Sequence, residues 1–409
     1  MEESKLKTVI IGVQMLFVAF GALVLVPLLT GMDPSLALFT AGAGTLIYQV
    51  VTKRMVPVFL ASSFAFIAPI QFGIKQFGIG ATLGGLASAG LVYIIFAIIV
   101  KAGGVEIIDR YIPAVVTGPV IMVIGLNLAP VAVNMAKSFD GSGNYDGKAM
   151  IIAMISLATA IITVMFGKKL LSLIPILMGV IVGYIVSLAA GVVNFQPIKD
   201  AAWFSIPWVE AVKHGTYAFP VFDIAAILYI MPVAIAPVIE HVGGILAISN
   251  VAGKNFIKEP GLHRSLIGDG LATSFASLCG GPPNTTYAEV TGAVALTKAY
   301  RVVYMTIAAC TAIILAFVGK LGAVLKTIPV PVMGGIMILL FGMIAAIGIG
   351  TIVRERLDMS KARNLIIVSV VLVVGIGNMS ITFGSVTLGG IGLSGIVGIL
   401  LNLVIPRDK

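Results

Sequence analysis

Long apolar stretches separated by short polar loops dominate the chain. Most of them approach the roughly 20 residues that an α-helix needs to cross a membrane. We predict fourteen spans, at 8–31, 35–52, 57–73, 79–101, 112–133, 148–166, 171–191, 222–249, 262–281, 286–298, 301–319, 328–350, 363–377 and 388–406. The third and the tenth are the least continuous. The pattern indicates an all-α polytopic membrane protein.

Composition supports this class and excludes others. Hydrophobic residues make up 59% of the chain and charged residues only 11%, against about 25% charged in soluble domains. The net charge of +9 does not predict a nucleic-acid partner, because membrane proteins gather Lys and Arg in cytoplasmic loops. Cys279 and Cys310 lie in apolar segments without zinc spacing, so neither a disulfide nor a metal site is expected.

The basic residues segregate between the two sides of the membrane. With fourteen spans, nineteen Lys and Arg residues fall on one side and seven on the other, which together account for all 26. The nineteen include Lys169, Arg407 and Lys409. The positive-inside rule then predicts that both termini are cytoplasmic. Segment 194–217, with two Trp residues, is expected to lie at the external interface.

An internal repeat relates the two halves. Residues 112–118 (IPAVVTG) recur as 328–334 (IPVPVMG), an offset of 328 − 112 = 216. The polar segment 61–64 (ASSF) of span three likewise corresponds to 284–287 (NTTY), and both follow proline. Because seven spans is an odd number, the second copy must enter the membrane from the opposite side. We therefore predict seven-plus-seven inverted repeats with short extended or broken segments in spans three and ten.

Two carboxylates stand out in these apolar surroundings. Glu240 ends the apolar run 225–239, and Glu289 follows the proline-led polar stretch 282–288. Ionisable groups at bilayer depth are costly and usually functional. Inverted-repeat transporters bind substrate near the midplane, where interrupted helices expose NH groups and N-terminal dipoles. The two breaks and the two carboxylates predict a transport site.

The small polar residues of the breaks allow a second interpretation. Ser and Thr side chains often satisfy helix backbone or pack between helices in membranes. That alternative applies to Ser62, Ser63, Thr285 and Thr286.

Proton coupling is the mechanism that these carboxylates favour. A carboxyl group in apolar surroundings holds a proton more readily than one in water. We expect Glu240 to be the principal coupling group and Glu289 the principal substrate anchor, with Na⁺ as the alternative ion. Asp269 either tunes Glu289 or holds spans together. His241 either relays protons or makes a structural hydrogen bond, since helix neighbours point about 100° apart.

Several motifs resemble one transporter family. Residues 280–289 (GGPPNTTYAE) are similar to the signature of the nucleobase-ascorbate transporters, also called nucleobase:cation symporter-2, and most closely to the bacterial uracil carriers among them. Further matches, in the family's order, are at 14–27, 62–66 (SSFAF), 240–243 (EHVG), 260–265 (PGLHRS) and 328–335. Two positions depart from the family pattern: Gly244, where relatives often have His or Asp, and Val290, where they have Asn.

The resemblance implies a fold and a function. It divides the chain into a core domain, residues 1–102 (spans 1–4) and 222–320 (spans 8–11), and a gate domain, residues 103–221 (spans 5–7) and 321–409 (spans 12–14). It implies proton-coupled uracil uptake by alternating access in a bacterial inner membrane, without enzyme activity or a cofactor, by a homodimer. Xanthine or urate is the alternative substrate, and an anion carrier or channel of the same architecture is a more distant alternative.

The resemblance also assigns site residues. Glu240 and Glu289 would bind the base, helped by the backbone amides of Phe64 and Ala288. The remaining pocket residues would be Ala22, Ser63, Tyr287 and, from the gate side, Phe341.

Overall fold

The computed structural model describes residues 5–104, 110–168, 171–383 and 386–406. Within these ranges the chain is mainly helical, as predicted. Lys169, Arg407 and Lys409 of the charge count lie outside the described residues.

The first half contains seven helices and one short strand among the described residues. They are α1 (Lys5–Val18), α2 (Phe20–Thr30), α3 (Pro34–Val51), β1 (Leu60–Ser62), a 3₁₀ turn (Phe64–Phe66), α4 (Ile67–Gly103), α5 (Ala114–Lys137), α6 (Gly147–Phe166), a 3₁₀ turn (Leu171–Leu173) and α7 (Pro175–Ala189).

The second half repeats this order after two short connecting helices. Its elements are α8 (Gln196–Asp200), α9 (Pro207–Lys213), α10 (Ile224–Ile230), a 3₁₀ turn (Met231–Ala234), α11 (Ile235–Ala252), a π-helical turn (Ile257–Gly261), α12 (Leu262–Leu278), β2 (Asn284–Thr286), α13 (Ala288–Thr297), α14 (Val303–Ala316), α15 (Gly319–Lys326), α16 (Val330–Arg354), α17 (Ala362–Ile376), β3 (Ser380–Phe383), β4 (Val386–Gly389) and α18 (Gly390–Val404).

The helices follow the predicted spans and make the chain a multi-pass membrane protein. Seven helical segments in the described ranges are long and apolar enough to cross a membrane, and four shorter apolar helices accompany them. Segment Phe64–Gly103 holds two predicted spans and is broken at Gly78, where φ is 80°. Glycine adopts this left-handed conformation without steric cost, so the break falls between predicted spans three and four.

The β-hairpin near the last span is one of the elements that the sequence pattern does not predict. The β3–β4 hairpin precedes α18 and pairs Ser380 with Gly389 and Ile381 with Leu388. Because its apolar residues run directly into the helix, the sequence pattern placed the start of the last span at 388, inside β4.

The repeat is visible in the crossing of α5 and α16. Helix α5 begins directly after Pro113 and helix α16 directly after Pro329. The two prolines are 216 residues apart, which is the offset of the sequence repeat. The two helices cross antiparallel, with Gly118 against Gly348 at one end and Gly334 against Ala136 at the other. Glycines permit this close backbone approach, as is common between membrane helices.

The α5–α16 crossing gives a stability prediction. A Cβ atom on Gly125 would overlap the backbone oxygen of Phe341, whereas one on Gly342 would meet no atom within 4 Å. We expect Gly125→Ala to lower the midpoint of thermal unfolding in detergent, since overpacking costs about 1–3 kcal/mol. Gly342→Ala is the matched control and should not lower it. Equal midpoints for the two variants would contradict the close crossing.

Candidate transport site

The two broken spans meet in a short antiparallel ribbon. β1 pairs with β2 in the register Leu60–Thr286, Ala61–Thr285 and Ser62–Asn284. The amide of Ser63 donates to the Pro283 oxygen at 2.9 Å, and the amide of Tyr287 donates to the Phe59 oxygen at 3.2 Å. Backbone groups at bilayer depth need partners inside the protein. Each broken span therefore provides hydrogen-bond partners for the backbone NH and carbonyl groups of the other.

Hydroxyl and amide side chains of neighbouring helices fix this ribbon. The amide of Leu60 donates to Thr45 Oγ1 on α3 at 3.0 Å. Thr273 Oγ1 on α12 donates to the Asn284 backbone oxygen at 2.6 Å, and Asn284 Nδ2 donates to the Thr40 oxygen at 2.8 Å. Sequence reasoning missed these threonines, because small polar residues are frequent throughout membrane helices.

Both strands lead into a helix N-terminus. Ser63 and Tyr287 have extended backbone, and helical structure begins at the next residues, Phe64 and Ala288. The first NH groups of a helix lack intrahelical acceptors, and the helix dipole makes this end attractive to electron-rich groups. The geometry expected of paired interrupted helices is therefore present.

The two predicted carboxylates are neighbours. Glu240 lies in the second turn of α11, and Glu289 lies in the first turn of α13. Both are half-buried, and they are close enough for their charges to interact. When both are ionised they repel each other, so a proton or a hydrogen-bond donor placed between them is stabilised.

The predicted wall residues surround these groups. The Tyr287 hydroxyl lies beside the Glu289 carboxyl and the backbone of Ala22, without a hydrogen bond of good geometry. The rings of Phe64 and Phe341 meet edge to face, with centroids 6.1 Å apart. All four of these wall residues are buried. Phe341 comes from α16, in the predicted gate domain, and therefore joins the two predicted domains at this site.

Ser63 and Gly244 are two further positions of interest at the predicted site. The Ser63 hydroxyl is buried and has no hydrogen-bond partner, so among the described side chains it is free to meet a ligand. Gly244 lies one turn after Glu240 and faces β2, where a Cβ atom would sit 3.4 Å from Thr286 Cγ2.

His241 and Asp269 form a separate cluster on β2. His241 Nδ1 lies 2.8 Å from Asp269 Oδ2. The carboxylate also accepts from the hydroxyls of Thr285 and Thr286 and from the Thr286 amide, each at 3.1 Å. Asp269 thus lies where it holds β2 against α12, which is one of the two roles considered for it. Adjacent residues on a helix point about 100° apart, and the His241 ring accordingly contacts α12 and β2.

Comparison with known proteins identifies the family. A family model described as "Permease family" (Xan_ur_permease) matches residues 6–383. The chain is 54% identical over 407 residues to the "Probable uracil permease" of Haemophilus influenzae, covering 100% of this chain and 96% of the relative. The chain belongs to the nucleobase-ascorbate transporter family. The resemblance read from the motifs is confirmed, and the chain is a permease rather than an enzyme.

Other relatives in this family carry similar names. The "Uracil permease" of Bacillus caldolyticus is 44% identical over 402 residues, covering 97% of this chain and 91% of the relative. The "Uracil permease" of Escherichia coli K12 is 40% identical over 400 residues, covering 98% of this chain and 91% of the relative.

Solved structures confirm the fold class. The transmembrane domain of the cyanobacterial bicarbonate transporter BicA superimposes with a TM-score of 0.67 at 15% identity, covering 97% of this chain and 96% of that one. The structure of SLC26A9 superimposes with a TM-score of 0.68 at 13% identity, covering 98% and 65%. The seven-plus-seven inverted repeat is therefore the fold of this permease.

The hydrogen bond that ties the ribbon to α12 predicts the effect of removing the Thr273 hydroxyl. Thr273→Val removes the donor to the Asn284 oxygen, which costs about 1 kcal/mol for a typical hydrogen bond. We expect a lower midpoint of thermal unfolding in detergent. Thr311→Val is the matched control, because the Thr311 hydroxyl bonds only to its own helix, at the Ile307 oxygen. If both variants unfold like the wild type, Thr273 does not hold the ribbon.

Proposed function

We propose that this permease carries uracil into the cell together with protons by alternating access. The observation that carries the proposal is the proximity of Glu240 to Glu289, which lies in the first turn of a helix that begins at the β1–β2 ribbon. The uracil permease names of relatives at 40–54% identity support the substrate. We further propose a homodimer in a bacterial inner membrane with both termini cytoplasmic, following the family resemblance and the charge segregation.

The chemistry of the base matches the groups at the site. Uracil has two ring NH donors and two carbonyl acceptors. Carboxylates accept from the NH groups, and backbone amides such as those of Phe64 and Ala288 donate to the oxygens. In this arrangement Glu289 anchors the base, Ser63 offers a free hydroxyl, and Phe64 with Phe341 closes the pocket against water.

Glu240 is the proposed coupling group. It lies on α11 beside Glu289, so its charge state affects how well the site accepts a further NH donor. Protonation from outside and release inside would link base transport to the proton gradient. His241 and Asp269 are engaged with each other and with β2, which makes Glu240 and Glu289 the principal candidates.

Alternating access requires a boundary between moving parts. The core domain, residues 1–102 and 222–320, would move against the gate domain, residues 103–221 and 321–409. Contacts across this boundary include Phe64 with Phe341 and Gly21 of α2 with Ile176 of α7.

A purine such as xanthine or urate is the second candidate substrate. It is the alternative that the family resemblance implies, but Gly244 opens no room for a larger ring, because a Cβ atom there would already contact Thr286 Cγ2 at 3.4 Å. An anion carrier of the BicA or SLC26 kind is disfavoured, because paired carboxylates at the breaks repel anions.

If Glu240 is the coupling group, its substitution should separate uracil accumulation from uracil exchange in proteoliposomes. We expect Glu240→Gln to abolish labelled-uracil accumulation under an inward proton gradient but to retain exchange of uracil across the membrane. Glu289→Ala should lose both activities. Glu355→Gln changes an exposed carboxyl in a loop and is the matched control.

Three outcomes would contradict this proposal. Accumulation by Glu240→Gln would remove Glu240 from the coupling role. Strong transport of xanthine without uracil uptake would keep the fold and change the substrate. Failure of a protonophore to collapse uracil accumulation would point to another ion.

A further inference from the structure

His241 and Asp269 form a buried polar pair that the proposed transport chemistry does not use. Neither side chain is exposed at all. His241 Nδ1 lies 2.8 Å from Asp269 Oδ2, and His241 Nε2 lies 2.9 Å from Ser265 Oγ. The pair bridges α11 and α12 behind the strand that carries the second break.

The hydrogen bonds of Asp269 fix the ring proton that faces it. Asp269 accepts from the hydroxyls of Thr285 and Thr286 and from the Thr286 amide, so it accepts from His241 as well, and Nδ1 donates to it over 2.8 Å. The Ser265 hydroxyl has two acceptors within reach, the Leu262 oxygen at 3.0 Å and His241 Nε2 at 2.9 Å.

Asp269 is the acceptor of every hydrogen bond that it makes among the described residues: from Thr285, from Thr286 and from His241. A buried carboxyl group needs such donors, because burial without hydrogen bonds is costly. His241 is the donor that α11 contributes.

The partners of the pair show what it positions. Asp269 Oδ2 takes both the Thr286 amide and the Thr285 hydroxyl, and these residues end the strand that leads into Tyr287 and Glu289. We propose that His241 is a positioning residue, which acts through Asp269 to fix β2 and thereby the substrate-facing residues that follow. This inference rests on the proposed function for its transport readout but not for its stability readout.

Other titratable groups face the pair from the surrounding helices. The Tyr48 ring on α3 lies 6.4 Å from the imidazole, and the Tyr93 hydroxyl on α4 lies 3.5 Å from Thr285 Oγ1. Glu240 precedes His241 in α11 and interacts at longer range with Asp269.

Two amide substitutions test the two ring nitrogens of His241 separately. The Asn side-chain nitrogen reaches the position of Nδ1, and the longer Gln side chain reaches that of Nε2. His241→Asn therefore keeps a donor for Asp269, whereas His241→Gln keeps only the contact with Ser265. We expect uracil affinity to fall about tenfold or more for His241→Gln and about threefold or less for His241→Asn, as for a lost and a retained charge-assisted hydrogen bond. Equal losses in the two variants would overturn the positioning role.

A double-mutant cycle tests the His241–Asp269 contact without any substrate. Asp269→Asn should lower the midpoint of thermal unfolding of the wild type. In the His241→Gln background the same change should lower the midpoint by less, because Asp269 has already lost its donor on α11. A decrease of similar size in both backgrounds would overturn the coupling between the two residues. Failure of wild-type uracil binding would refute the proposed substrate, and the unfolding cycle would still decide this inference.

Discussion

The structure depends on the satisfaction of backbone hydrogen bonds where two membrane spans are not helical. In hydrocarbon an unpaired NH or carbonyl group costs several kcal/mol. β1 and β2 solve this problem together, since each strand pairs with the other over three residues. Thr45 and Thr273 then tie the ribbon to α3 and α12. The result is a rigid platform at which two helices can begin inside the protein.

Each inverted repeat contributes one strand to this platform, but the chemistry of the two halves is not symmetric. The two breaks are equivalent in position, and α5 and α16 are equivalent in the antiparallel crossing. Glu289 and the Asp269 cluster belong only to the second copy. The first copy contributes Phe64 and the backbone of Ala22. A symmetric scaffold therefore holds an asymmetric site, as recognition of an asymmetric base requires.

Much of this organisation is predictable from the sequence, because membrane spans and repeats leave strong patterns. The two breaks are marked by proline and by small polar residues, and Glu240 and Glu289 are marked by their apolar surroundings. The partners of Asp269 are not predictable, since they depend on the rotation of α11 and α12. The β3–β4 hairpin is not predictable either, because the sequence of residues 386–389 continues the apolar pattern of α18. The threonines that anchor the ribbon resemble many others in the chain.

The two broken spans and the two carboxylates are proposed to form one site that moves a nucleobase and a proton together. Proton entry can be measured directly with a pH-sensitive dye inside proteoliposomes when uracil is added outside without an imposed gradient. The account predicts uracil-dependent acidification in the wild type and none in Glu240→Gln. Uracil entry without acidification would contradict it.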